Sequence, residues 1–357
     1  MLILNEKLTS AGTESRNLWA QLTDFIHQHG DNLIGEASSM RLNSDVSSQG
    51  RYTERAPKTY APRTKKSGFV NVEPMTSASE DEGGYLRPNG DKYFSRMWGD
   101  HEDVLTLRKA REATAKVFSG QGGSPMFALL YGSPGCGKTA LIEASFGSEE
   151  GGIFTLMGTG DTEVADLIGG YVQTPAGGFE WIDGDLIRAV ETGGVYFIDE
   201  IGLIDPKVLS VVYGLMDGRR EITVTANPER GTVKAHPNFY VVGATNPNAI
   251  GVRLSEALLS RFTLQTEMGT DWELARKLGV ATQLVTASQN LSKKQQSGET
   301  TWSPQMRELL AFRDIATTFG VSFAVSNLLA SAPEIDRPVV ADVLTRVYGE
   351  ECKPAKI

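Results

Sequence analysis

The run Gly132-Ser133-Pro134-Gly135-Cys136-Gly137-Lys138-Thr139 fits the pattern Gly-x-x-x-x-Gly-Lys-Thr. Glycines at these positions let consecutive backbone N–H groups turn toward anionic oxygens, the lysine adds a mobile cation, and the threonine hydroxyl is a hard oxygen donor for a divalent ion. That set is suited to the β- and γ-phosphates of a nucleoside triphosphate, with Thr139 on magnesium. Its context fits as well. The apolar run Met126-Phe127-Ala128-Leu129-Leu130-Tyr131 precedes it, and Ala140-Leu141-Ile142-Glu143-Ala144 continues as a helix whose positive end would face the phosphates.

A second apolar run, Val195-Tyr196-Phe197-Ile198, ends in Asp199-Glu200. In an open parallel sheet the strand ends face the ligand crevice. Asp199 would hold magnesium and its waters, and Glu200 would orient the attacking water, although an acidic pair can equally cap a helix. A third run, Tyr240-Val241-Val242-Gly243-Ala244-Thr245, ends in Asn246-Pro247. Asn246 could reach both the γ-phosphate and that water if its strand lies between the other two; Asn-Pro is also an ordinary turn signal. Arg261 closes Leu254-Ser255-Glu256-Ala257-Leu258-Leu259-Ser260-Arg261-Phe262. A guanidinium there could neutralise transition-state charge in a neighbouring subunit, whereas a lone helix-end arginine is usually just solvated.

These residues need a frame that gathers strand ends. Short apolar runs at 126–131, 153–157, 195–198, 239–244 and 262–264 alternate with helical patterns, which predicts a parallel, doubly wound sheet covered on both faces. After Met268 only helical pattern continues, over 271–284, 304–319, 322–329 and 337–348. Before Tyr93 the chain reads differently. Leu18, Trp19, Leu22, Phe25 and Ile26 lie on one stripe of a short amphipathic helix within 14–29, and 35–90 is a Ser, Gly, Pro and charge-rich stretch without hydrophobic period. It holds a basic block, Arg51 to Lys66, and an acidic one, Glu80 to Glu82. The expected domains are therefore an extension over 1–92, an α/β core over 93–268 and a helical lid over 269–357.

The loop, the acids, Asn246 and Arg261, in this order, resemble an AAA+ ATPase. The text Asp166-Leu167-Ile168-Gly169-Gly170, Phe179-Glu180-Trp181-Ile182-Asp183-Gly184-Asp185-Leu186 and Ala235-His236-Pro237-Asn238-Phe239 is similar to the MoxR and CbbQ/NorQ/GvpN branch, close to dynein-type modules. The resemblance covers about Tyr93 to Gly349. It implies a P-loop NTPase core with a five-stranded parallel sheet and a small all-helical lid, using ATP and Mg2+. Gly132 to Thr139 and Asp199 would bind the nucleotide, Thr139 and Asp199 the metal, and Glu200 and Asn246 would act in hydrolysis. It also implies a ring, usually a hexamer, with each site completed by Arg261 of the adjacent subunit. The partner would be a protein client or a protein bearing a von Willebrand factor A domain. An insertion at 171–185 would point toward the ring face or pore, with Trp181 either exposed for substrate contact or buried as structure. Asn227-Pro228-Glu229-Arg230-Gly231 reads as the turn of a second, hairpin insertion over 222–233. Two departures stand out. The branch's Ser-Pro-Arg is here Ser303-Pro304-Gln305, with Arg307 two positions later on the wrong side of a helix turn, and Cys136 replaces a commoner small residue, so that alkylation there should block ATP.

The whole chain of 357 residues, 40% hydrophobic and 22% charged, is ordinary for a globular protein. A net charge of -9 disfavours a constitutive nucleic-acid coat. Two cysteines, Cys136 and Cys352, give no disulfide framework and fit a reducing cytoplasm. Neither a signal peptide nor a spanning run is legible in the sequence, so no membrane role is expected. Remodelling of a partner protein is the expected role. Its competitors are a DNA-associated motor or loader fed by the basic block, and a nucleotide-gated scaffold with negligible turnover.

Overall fold

The computed structural model describes residues 83–149, 151–175, 177–349 and 351–354, all within one compact unit of the chain, Lys65–Ile357. The amphipathic stretch 14–29, the basic block and the acidic block lie outside the described residues.

Two small hairpins open the described chain: β1 (Tyr85–Leu86) with β2 (Lys92–Tyr93), and β3 (Met97–Trp98) with β4 (His101–Glu102). Structure therefore begins before Tyr93, and the expected boundary at 92/93 cuts through the first hairpin. The two-residue strands are too short to show a hydrophobic period, which is why the composition of 83–92 reads as linker. The helix α1 (Asp103–Lys116) follows, ending in one π-helical turn at Val117–Gln121.

The core then alternates as expected: β5 (Ala128–Tyr131), α2 (Lys138–Phe146), β6 (Ile153–Met157), α3 (Val164–Ile168), the hairpin β7 (Gly169–Gln173) and β8 (Phe179–Asp183), α4 (Asp185–Thr192), and β9 (Val195–Asp199). Next come α5 (Pro206–Met216), the second hairpin β10 (Glu221–Thr223) and β11 (Thr232–Lys234), β12 (Tyr240–Thr245), α6 (Glu256–Leu259) and β13 (Leu264–Glu267). The five-stranded sheet has the order β13-β5-β12-β9-β6, all pairs parallel. Every residue of β9 and β12 is buried, as a strand covered on both faces requires, and the edge strands β6 and β13 carry polar residues among apolar ones. The expected last strand at 262–264 is displaced to 264–267. Phe262 is apolar because it plugs the core under Gly243, whereas the edge strand itself, Leu264-Gln265-Thr266-Glu267, needs no apolar run.

Five helices form the lid: α7 (Trp272–Lys277), α8 (Thr282–Gln296), α9 (Met306–Phe319), α10 (Val321–Ser331) and α11 (Arg337–Tyr348). The single helix expected over 271–284 is broken at Gly279, which takes φ +81 and cannot continue an α-helix. Asp271 caps α7 by accepting from the N–H groups of Glu273 and Leu274, and Gln305 with Glu308 forms a capping box on α9. Leu284, Leu291, Leu309, Phe312, Leu328 and Leu344 build a separate lid core. Burial of each such side chain contributes about 1.5–3 kcal/mol, so the lid carries its own hydrophobic stabilisation. Among the described residues no helix is long and apolar enough to cross a membrane.

Gly243, at the middle of the central strand, faces Leu129 and Phe262, and a Cβ there would stand 2.9 Å from the Leu129 side chain. Gly243→Val is expected to overpack this point and destabilise the chain by about 1–3 kcal/mol, read as a lower urea midpoint. An unchanged midpoint would show that the sheet is not packed in this way.

Candidate nucleotide site

The ends of β5, β12 and β9 meet at one edge of the sheet. There the chain leaves β5 through Gly132–Gly137 and enters α2 at Lys138. Gly135 and Gly137 take φ of +84 and +101, which side chains rarely adopt, and the loop turns tightly as a result. A Cβ at Gly132 would lie 2.4 Å from the Met268 carbonyl and 2.8 Å from the Cys136 Sγ, so only glycine allows the loop to close against the core. Lys138 is buried, and its Nζ donates to the Gly132 carbonyl at 2.7 Å and the Ser133 carbonyl at 3.3 Å.

Thr139 Oγ1 donates to Asp199 Oδ2 at 3.1 Å, which places a hydroxyl and a carboxylate side by side. The other Asp199 oxygen accepts the Glu200 N–H at 3.0 Å. Glu200 itself sits at φ 49, ψ 41, a left-handed conformation that costs a non-glycine residue about 1–2 kcal/mol. The turn carries its carboxylate to the next strand, where Oε2 accepts the Asn246 N–H at 3.3 Å. The expectation that the Asn246 strand lies between the other two is met by β12, although the Asn246 side-chain oxygen is engaged locally by the Asn248 N–H at 3.2 Å.

A cavity of about 470 Å³ opens over the loop, a volume within the range of small-molecule sites. Pro134, Gly135, Gly137, Lys138, Thr139, Asp199 and Glu200 line one side, and Leu274, Leu278, Met306, Arg307 and Leu310 of the lid line another. The lid thus corrects one expectation. Arg307 does not point away: it lines the cavity, and its N–H donates to the Gly135 carbonyl at 3.2 Å. Gln305 precedes the first turn of α9 as its cap, with its side chain bonded to Thr270 and Ser303, and this shift of the helix start brings Arg307 to the loop. Cys136 is fully buried with its Sγ toward Gly132 and 4.0 Å from Lys138 Nζ, so the thiol is closed to reagents in this conformation.

Two expected catalytic residues do not line the cavity: Asn246 reaches the site only through its N–H on Glu200, and Arg261 is turned to other partners. The Arg261 guanidinium donates to the Ala257 carbonyl at 2.6 Å, lies 4.4 Å from the Tyr213 ring centroid and stands 3.9 Å from Asp217. Hydrogen bonds from Arg219, with the charge of Arg261 adding to them, hold the Asp217 carboxyl below the usual carboxylate range. Trp181 also differs from its exposed alternative. It is half-buried, packs edge-on to Tyr171 at 5.2 Å and donates from Nε1 to Asp183 at 2.7 Å. The exposed aromatics of that hairpin are Phe179, at 71%, and Tyr171, at 53%. Arg230 of the second hairpin pairs with both Asp183 and Glu191, which ties the two insertions together.

Sequence reasoning missed the N-terminal wall, where Arg87, Lys92, Tyr93, Phe94 and Arg96 line the cavity. Arg96 donates to the Cys136 carbonyl at 2.6 Å and the Gly269 carbonyl at 3.1 Å. Burial pushes the Tyr93 hydroxyl far above its usual range and keeps it a donor, to Asp103 at 2.5 Å. No spacing motif marks these residues; the cluster of aromatic and basic side chains at 92–98 was the available signal.

Residues 128–262, which include the loop, both acids, Asn246 and Arg261, match the family described as AAA domain (dynein-related subfamily). That segment is similar to the dynein-related AAA domain, and the chain has the AAA+ P-loop fold, a five-stranded parallel sheet followed by a helical region. The chain is 36% identical over 146 residues to midasin of Dictyostelium discoideum, covering 39% of this chain and 2% of that one. It is 35% identical over 142 residues to an uncharacterized protein of Staphylococcus aureus (strain USA300), covering 38% of this chain and 53% of the relative. The chain thus spans about half the length of the staphylococcal relative and a small fraction of midasin. A solved Cytophaga hutchinsonii protein described as a candidate ATPase superposes with a TM-score of 0.36 at 14% identity, over 70% of this chain and 88% of that one, a likeness too slight to bear on function.

Lys138→Ala removes the loop's buried cation without altering its glycines. Affinity for a non-hydrolysable ATP analogue, measured by calorimetry, is expected to fall about 10- to 100-fold, the equivalent of one or two charge-assisted hydrogen bonds. Affinity within threefold of the parent would contradict the placement of the phosphates.

Proposed function

We propose that this chain is an ATP-hydrolysing, MoxR-like AAA+ protein that works as a ring, usually a hexamer, and remodels or activates a partner protein. The observation that carries the reading is the convergence at one sheet edge of the glycine loop, the Thr139–Asp199 pair and the Glu200 carboxylate received by Asn246. The residues fit ATP and magnesium: Gly135, Gly137 and Lys138 line the cavity as a turn with left-handed glycines and a buried cation, and Thr139 and Asp199 are a hard-oxygen pair suited to the metal. Thr139 and Asp199 would hold the magnesium, which would supply positive charge against the phosphates.

The chain's own groups do the rest. Gly135, Gly137, Lys138 and Thr139 present N–H groups, and Lys138 its cation, to the phosphates. Glu200, oriented by the Asn246 N–H, polarises the attacking water. Arg307 brings a lid cation to the same cavity, so closure of the lid and grip on the nucleotide are linked. Arg261, outside its own cavity, is available to a neighbouring copy, where such an arginine adds about 10³ to 10⁵ in rate. The protein-remodelling half of the proposal is supported by the β7–β8 hairpin, which exposes Tyr171, Val172, Phe179 and Ile182 as an apolar surface. A partner bearing a von Willebrand factor A domain belongs to the same reading, by resemblance to the MoxR branch.

Glu200→Gln in the full chain tests this. The variant should bind ATP with near-parental affinity, lose turnover by at least about 100-fold, and retain its client through purification. Recovery of a protein client supports remodelling. Recovery of DNA alone, sensitive to salt, would replace it with a DNA motor or loader.

A further inference from the structure

We propose that Arg96 is a positioning residue of the nucleotide site, which locks the phosphate loop to the start of the lid so that a change in one is transmitted to the other. This rests on the reading of Gly132 to Thr139 as a nucleotide loop. Arg96 lies between two hairpins, outside the matched residues 128–262, in a segment that no motif marks.

Its guanidinium bridges two distant parts of the chain. Nη2 donates to the carbonyl of Cys136, in the loop, at 2.6 Å, and Nη1 donates to the carbonyl of Gly269, in the connection to α7, at 3.1 Å. The guanidinium is planar and its donors form a rigid fork, so two carbonyls on one fork are held at a fixed separation. The arginine is anchored in turn. Its N–H donates to Asp103 Oδ1 at 3.2 Å, and the second Asp103 oxygen receives the buried Tyr93 hydroxyl. Gly137 gives it room: a Cβ there would stand 2.5 Å from Arg96 Nη2.

On the loop side the bond acts on a peptide plane. Gly135 and Gly137 offer no side chains to hold the loop, and both have φ in the left-handed range. Because the peptide is planar and trans, holding the Cys136 carbonyl toward Arg96 turns the Gly137 N–H the opposite way and resists a flip of that plane. The guanidinium therefore sets the direction of one loop N–H. On the lid side Gly269 adjoins Met268, whose N–H donates to the Tyr131 carbonyl at 2.7 Å and whose own carbonyl packs against Gly132. Shortly after Gly269, α7 begins; its Leu274, and Leu278 just after its end, join the cavity wall. Arg96 also lines a second cavity of about 430 Å³, bounded by Trp98, Leu141 and residues 266–271, so it forms the partition between the nucleotide site and the core–lid seam.

Arg96→Lys and Arg96→Ala in the full chain test the inference, with ADP as the ligand. Affinity is read by calorimetry and local response by hydrogen exchange of two peptides, one covering 132–139 and one covering 268–278. In the parent, ADP should slow exchange in both. A lysine is a point donor that cannot span both carbonyls. Arg96→Lys should therefore bind ADP within about tenfold of the parent and keep protection of the loop, but lose it at 268–278. Arg96→Ala, if folded, should bind about 10- to 100-fold more weakly. A purely structural arginine would raise exchange equally with and without ADP, and that outcome overturns the inference. So does parental protection of both peptides in Arg96→Lys, or absence of ADP protection at 268–278 in the parent. Failure of the nucleotide reading is separately visible, because Lys138→Ala would then bind ADP as the parent does.

Discussion

The structure depends on the insertion of β12 between β5 and β9. Parallel pairing puts the carboxyl ends of all three strands at the same edge, and backbone hydrogen bonding fixes their register: Val242 opposite both Ala128 and Phe197. Everything chemical follows from that edge. The glycine loop leaves β5, Asp199 and Glu200 leave β9, and Asn246 leaves β12 from the position between them. A sheet covered on both faces cannot expose polar strand ends to its own core, so it presents them at the crevice, where charge and backbone donors can be used.

Around that edge the chain holds several groups in conformations that relaxed backbone would avoid. Glu200 is left-handed, Gly135 and Gly137 turn the loop, and Gly132 admits no side chain at all. Each is held by neighbours: the Asn246 N–H donates to Glu200, Met268 closes over Gly132, and Arg96 donates to the Cys136 carbonyl. The strained Glu200 turn and the glycine loop, supported from three directions, make a preorganised site. The lid has its own core and meets this edge through the Arg307 N–H on the Gly135 carbonyl.

Much of this was legible beforehand, for physical reasons. Strands buried on both faces are continuous apolar runs, so 126–131, 195–198 and 239–244 announced themselves, and the pattern at 132–139 has few alternatives in such a context. Residues that act through the backbone were not legible. Gln305 looked like a missing contact because its neighbour's spacing was counted along a helix whose start, set by the capping box, was unknown. Arg96 was invisible because carbonyls accept from any donor and leave no signature in side-chain spacing. Phe262 misplaced the last strand because apolar character reports burial, which a plug between elements shares with a strand. Trp181 stays open between an exposed and a structural role in the sequence, and the contacts with Tyr171 and Asp183 decide for the second.

In the proposed reading each site is built from two copies, with the loop and acids from one and Arg261 from the next. The most direct measurement mixes Glu200→Gln chains with Arg261→Ala chains and follows phosphate release. Each variant alone should be nearly inactive, and the mixture should regain turnover, since some sites then join an intact Glu200 to an intact Arg261. Full turnover by Arg261→Ala alone, or a mixture as inactive as its components, would contradict the account.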